Sequence, residues 1–153
     1  MNWKSGHLLV SIKVEGGPVV VYKLNSMGVV HTLQNPTSSV CLGVDSSRDL
    51  KRVCAFTDET SSQVLVWDAA SNKLITQTQA PAPLRGCLFN PSDENYVCAY
   101  GSQGFYVGKI SSMLGEHSLE LLRIELRSEG SGGESELGSP IAVRLNIAVL
   151  GVQ

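Results

Sequence analysis

Residues 52–77 read Arg52-Val53-Cys54-Ala55-Phe56, a polar stretch Thr57–Ser62, then Val64-Leu65-Val66-Trp67, a second gap Ala69–Asn72, and Leu74-Ile75-Thr76-Gln77. Each apolar run is short and rich in β-branched and aromatic side chains, which suit a pleated, half-buried backbone. The gaps hold Ser, Thr, Asp and Asn, whose side chains satisfy nearby backbone groups in turns. Helical periodicity is absent here and throughout residues 7–110, and runs this short are strand-length. The stretch therefore predicts successive antiparallel strands, with a further one at Val40–Val44 ahead of the turn Asp45–Asp49.

The same pattern recurs on both sides. Val19-Val20-Val21-Tyr22 overlays Val64-Leu65-Val66-Trp67 at an offset of 45, Cys41-Leu42 overlays Cys87-Leu88 at 46, and Val53-Cys54-Ala55-Phe56 overlays Val97-Cys98-Ala99-Tyr100 at 44. A period near 45 predicts stacked supersecondary units that bury their faces on one another. The later unit offers strands at Gly86–Phe89, Tyr96–Tyr100 and Phe105–Ile110, with Asn90-Pro91-Ser92-Asp93 as its first turn. The earlier unit offers Leu8–Ile12, Val19–Leu24 and Val29–Leu33, and is expected to lack a strand before Leu8. By their places in the pattern, Tyr22, Trp67 and Gly108 occupy equivalent third-strand positions, where core packing is the expected role of the aromatic rings.

Four strands in a unit of about 40–45 residues is the arithmetic of a propeller blade. Trp67-Asp68 after Val64-Leu65-Val66 resembles the dipeptide that closes the third strand in the WD-repeat family. Phe89-Asn90-Pro91-Ser92-Asp93 is similar to that family's turn between first and second strands, and Ser5-Gly6 before Leu8 resembles the tail of the same turn. The resemblance covers roughly Ser5–Ile110. It implies an all-β partial WD40-type β-propeller of about two and a half to three four-stranded antiparallel blades, near 5–34, 38–79 and 84–126, within a propeller region 1–126. The blades are degenerate: the family often has an Asp six residues before the Trp position, where this chain has Gly16, Ser61 and Ser102. Divergent blades of this sort resemble those of ciliary and flagellar WD-repeat proteins.

Closed propellers use about four to eight blades, so the chain is expected to be a fragment of a longer propeller, a truncated isoform, or a piece completed by self-association or by another chain's blades. Residues 111–153 carry three Arg and six Glu, a change of character from the preceding chain. Leu119–Leu126 reads as a fourth strand or a short helix. Residues 127–140, rich in Gly, Ser and Glu, read as a flexible linker, and Ile141, Val143, Leu145, Ile147 and Val149 alternate as one strand within a tail 141–153.

Charged residues make up 17% of the 153 and the formal net charge is −2, so there is no basic field for nucleic acid, and no apolar run approaches a membrane span. Cys41, Cys54, Cys87 and Cys98 sit in apolar runs without metal-ligand spacing, which predicts buried, reduced thiols and a cytoplasmic setting. His7, His31 and His117 have no repeated partner, and no nucleophile elbow, phosphate loop or zinc motif occurs. No catalytic, cofactor-binding or metal site is expected. The resemblance implies a non-catalytic scaffold that binds proteins through its faces, in the cytoplasm or on a cytoskeletal or ciliary assembly, with Arg48, Lys51, Lys73 and Arg85 as candidates for a face. The alternatives are a propeller enzyme or ligand-binding domain whose site lies in blades outside this chain, and a truncated isoform without independent function.

Overall fold

The computed structural model describes residues 2–4 and 6–125. The expected linker 127–140 and tail strand in 141–153 lie outside the described residues. Every regular element described is a strand. β1 (Asn2–Lys4), β2 (His7–Ser11), β3 (Val19–Lys23) and β4 (Gly28–Leu33) form the first sheet. β5 (Cys41–Ser46), β6 (Arg52–Thr57), β7 (Gln63–Asp68) and β8 (Lys73–Gln79) form the second, and β9 (Leu84–Phe89), β10 (Tyr96–Gly101), β11 (Gly104–Met113) and β12 (Glu116–Ile124) the third. Within each sheet, every strand pairs antiparallel with its neighbours in the chain, giving three four-stranded meanders.

Two expectations need correction, and the structure decides between strand and helix after Leu119. The first sheet does have a strand before Leu8: Asn2, Trp3 and Lys4 pair with Leu9, Leu8 and His7, so this sheet begins at residue 2 rather than 5. Three residues are too few to show a period-two pattern. The Cys41–Cys87 overlay at 46 is also out of register. Gly43 pairs with Phe56 as Gly86 pairs with Tyr100, so β5 and β9 correspond at an offset of 43 and Cys87 stands where Val44 does. The segment after Leu119 is strand β12 and not a helix, because its leucines at 119 and 121 share one face over β11.

The repeat extends to irregularities. Register slips between Val21 and Tyr22 against β4, and between Val66 and Trp67 against β8, at the same point of the unit. The turns that follow each place one non-glycine residue in the left-handed region, Met27 at φ 51° and Asn72 at φ 55°. Asparagine adopts that conformation readily, methionine less so.

What holds the sheets together is alternation. In β6 and β7 nearly every residue is buried, because the middle sheet is covered on both sides. Val53, Ala55, Leu65 and Trp67 point at the first sheet, where they meet Leu9, Val19, Val21 and Leu33. Cys54, Phe56, Val64 and Val66 point at the third sheet, against Leu84, Phe89, Val97, Ala99 and Tyr106. Burial on both faces explains why this segment reads as continuous hydrophobic runs. Gly108 of β11 holds the Trp67 position, pairing with Val97 as Trp67 pairs with Val53. A Cβ there would lie 2.6 Å from Leu119 and 2.9 Å from Leu121, so two leucines of β12 fill the volume the indole fills in the middle sheet.

Candidate functional site

The contacts between sheets contain the polar chemistry of the interior. Asp45, 3% exposed at the end of β5, accepts the backbone N–H of Phe89 at 2.9 Å and so ties the second sheet to the third. Arg52 of β6 reaches over the same boundary: its guanidinium donates to the Glu94 carbonyl at 3.1 Å and to Asn95 Oδ1 at 3.0 Å. Toward the first sheet, the Trp67 indole N–H donates to the Gln34 carbonyl at 2.9 Å. A backbone carbonyl thus satisfies the indole without the polar partners whose motif residues are missing from the sequence. Nothing in the spacing singled out Asp45, which reads as an ordinary turn residue, or Arg52, which reads as the first residue of a strand.

Three of the four thiols are inert by environment. Cys41, Cys54 and Cys87 are buried, whereas Cys98 is half-buried, contrary to the expectation that all four are covered. Cys98 projects from the side of the third sheet that no other described sheet covers, which leaves it half-buried. The sulfurs of Cys54 and Cys87 are 3.7 Å apart, well beyond the roughly 2.05 Å of a disulfide. Burial pushes the Cys41 thiol up to about 11 and raises Cys54 well above its usual value, the latter helped by Cys87. Among the described residues, no three His, Cys, Asp or Glu side chains gather as a metal site. Partial burial raises the Cys98 thiol as well, so in dilute folded protein at pH 8 a thiol reagent is expected to modify Cys98 slowly but first, and the other three only on unfolding. Fast modification of two or more would contradict this packing.

The four basic candidates do not form one patch. In an antiparallel meander the first and third turns of each sheet lie at one end and the second at the other. Arg48 and Lys51 sit in the β5–β6 turn and Lys73 opens β8, all at one end, while Arg85 lies near the start of β9 at the opposite end. Lys51 is committed locally, with its Nζ 2.8 Å from Asp49. The hydrogen bond from Lys51 holds the Asp49 carboxyl well below the usual carboxylate range, with a further bond from Ser47 Oγ at 2.8 Å. Lys73 lines a shallow hollow with Asp68 and Ser71 on one side and Glu116 and His117 on the other. The Ser71 hydroxyl and N–H both reach Asp68 Oδ1, lowering that carboxyl. Arg85 borders a second hollow, floored by Gly43, Phe56, Gly86 and Leu88. Neither hollow is enclosed, and neither pairs a nucleophile with a base.

The end that carries Lys51 and Lys73 also carries the longest hairpin. β11 and β12 run past the rest of their sheet and turn at Leu114-Gly115, leaving Met113 77% and Leu114 98% exposed.

These three meanders, stacked face to face at a 45-residue period with Trp67 closing a third strand, match solved propellers. Over 74% of this chain and 35% of the other, it is similar to the β-propeller domain of Cps50 (Swd1) from Myceliophteria thermophila, with 18% identity and a TM-score of 0.57. Hsv2 from Kluyveromyces lactis matches with a TM-score of 0.64 and 12% identity, over 80% of this chain and 44% of that one. The WD40 repeats of RRP9 match with a TM-score of 0.59 and 16% identity, over 77% and 35%. The fold is a partial WD40-type β-propeller. Its three described sheets are blades, and the chain spans 35–44% of the length of these propellers. At these identities the likeness is one of fold. No family model matches the sequence, and no curated protein matches it.

Proposed function

We propose that this chain is a non-catalytic scaffold that binds protein partners through the turn-bearing ends of its blades, as WD40 propellers generally do. The blades supply a rigid frame, and rigid frames let exposed loop residues act as preformed anchors. The observation that carries the reading is the β11–β12 tip. Met113 is largely and Leu114 almost wholly in solvent at the same end as Lys73 and His117, an apolar anchor beside polar groups. A partner suited to it presents an apolar socket rimmed by polar side chains. Four thiols without a disulfide support a cytoplasmic setting.

Proximity labelling from the chain in cells, compared between the wild type and Met113→Ser/Leu114→Asp, tests the reading. Both positions are exposed, so the fold is expected to survive, which circular dichroism would verify. Loss of a defined set of labelled proteins in the double variant is the expected result. An unchanged set would remove this end as the binding surface.

A further inference from the structure

The blades use one face-to-face contact twice. On the side turned to the next blade, Leu9, Val19 and Val21 of the first blade correspond by register to Cys54, Val64 and Val66 of the second. Both sets are buried under the blade that follows. Their counterparts in the third blade are Cys98, Phe105 and Val107. These join Leu88 and Leu122 in an uncovered face, where the row Leu88–Cys98–Val107–Leu122 runs straight over all four strands. Leu88 is 50% exposed, Phe105 45% and Leu122 63%. An exposed apolar patch of this extent marks an interaction surface.

The opposite side supplies the complement. Val53, Ala55, Leu65 and Trp67 of the middle blade seat against the first blade. Their counterparts Leu8, Val10, Val20 and Tyr22 hold the same register positions, with Leu8 paired to Tyr22 and Val10 to Val20. They form the outer side of the first blade, against which no other described strand packs; Leu8, Val10 and Tyr22 are half-buried there and Val20 is buried.

We propose that these two faces mate between copies: the third blade of one chain receives the first blade of a second, head to tail. The occupant is specified by the chain's own packing, because the contact that would form repeats the one already made between blades one and two and between blades two and three. Such a heterologous contact closes into a ring when the rotation permits. Two copies of the three described blades would give six, within the roughly four to eight of closed propellers. Each chain would then use both outer faces of its stack of described blades.

Light scattering on the purified 153-residue chain, over a dilution series on size-exclusion chromatography, tests this with two variants. Leu122→Lys blocks the third-blade face, and Val10→Lys blocks the first-blade face. The wild type is expected at the mass of two chains, falling to one on dilution. Each variant alone should lose pairing by at least tenfold in dissociation constant, and an equal mixture should regain a one-to-one pair through the two unmodified faces. Circular dichroism on each variant separates lost pairing from lost folding, and the wild-type mass stands whether or not the variants fold. A wild type that stays a single chain up to about 1 mM, the scale at which weak complexes dissociate, would overturn the proposal. So would Val10→Lys pairing alone, which would mean that third-blade faces pair with each other. Pairing that appears only after deletion of residues 127–153 would also overturn it, by assigning the face to the chain's own C-terminal segment.

Discussion

Trp67→Ala is expected to lower folding stability by about 3–5 kcal/mol, the range for truncating a large buried aromatic side chain. Two losses combine. The indole is fully buried between the first and second blades among Leu9, Val19, Val53 and Leu65, so its removal leaves a cavity at that boundary. The Gln34 carbonyl also loses its indole donor. Trp67→Phe separates the two, keeping most of the volume while losing the bond, and is expected to cost about 1–3 kcal/mol. Urea denaturation of both variants against the wild type checks the pair. If the alanine variant lost less than about 1 kcal/mol, the indole would not be the anchor between these blades.

Asp45→Ala is expected to cost about 1.5–3 kcal/mol, the usual range for a hydrogen bond that involves a charged group. Asp45 takes the Phe89 N–H at the boundary between the second and third blades, and Phe89 is itself 4% exposed. With the carboxylate gone, that donor is left without its partner away from water. Asp45→Asn retains an oxygen acceptor and is expected to recover part of the loss. Denaturation curves for the two variants decide it, and equal stability of Asp45→Ala and wild type would remove the carboxylate from the account of how these blades are joined.

The blades were legible because burial wrote the pattern. Val64-Leu65-Val66-Trp67 is unbroken because both faces of β7 are covered, and the period of 45 follows from each blade repeating the same contact with the next. The equivalence of Tyr22, Trp67 and Gly108 was also readable, since a third-strand position is fixed by its turn. Asn2–Lys4 was not, because pairing gives three residues their strand character, not their composition. The half-exposure of Cys98 could not be read either. Val97-Cys98-Ala99-Tyr100 looks the same as Val53-Cys54-Ala55-Phe56, and only the neighbour beyond each face makes the difference.

The candidate site was far less legible. Arg48, Lys51, Lys73 and Arg85 share a residue type, but the topology sends three to one end and one to the other. Met113 and Leu114 give no sign in the sequence of standing in solvent, since their exposure comes from a hairpin that outruns its blade. Asp45 and Arg52 act over a boundary some forty residues away in the chain, a distance at which local pattern carries no information.

Native-state hydrogen exchange, resolved by peptide, tests the central claim most directly: that the middle blade is a core covered on both faces by its neighbours. Amides of Arg52–Thr57 and Gln63–Asp68, paired on both edges within their blade, are expected to be the slowest in the described chain. Those of Gly28–Leu33 and Glu116–Ile124, at the outer edges of the first and third blades, are expected to exchange much faster. Exchange in β6 and β7 as fast as in β2, β3, β10 and β11, which are likewise paired on both edges within their blades, would contradict the stacked-blade account.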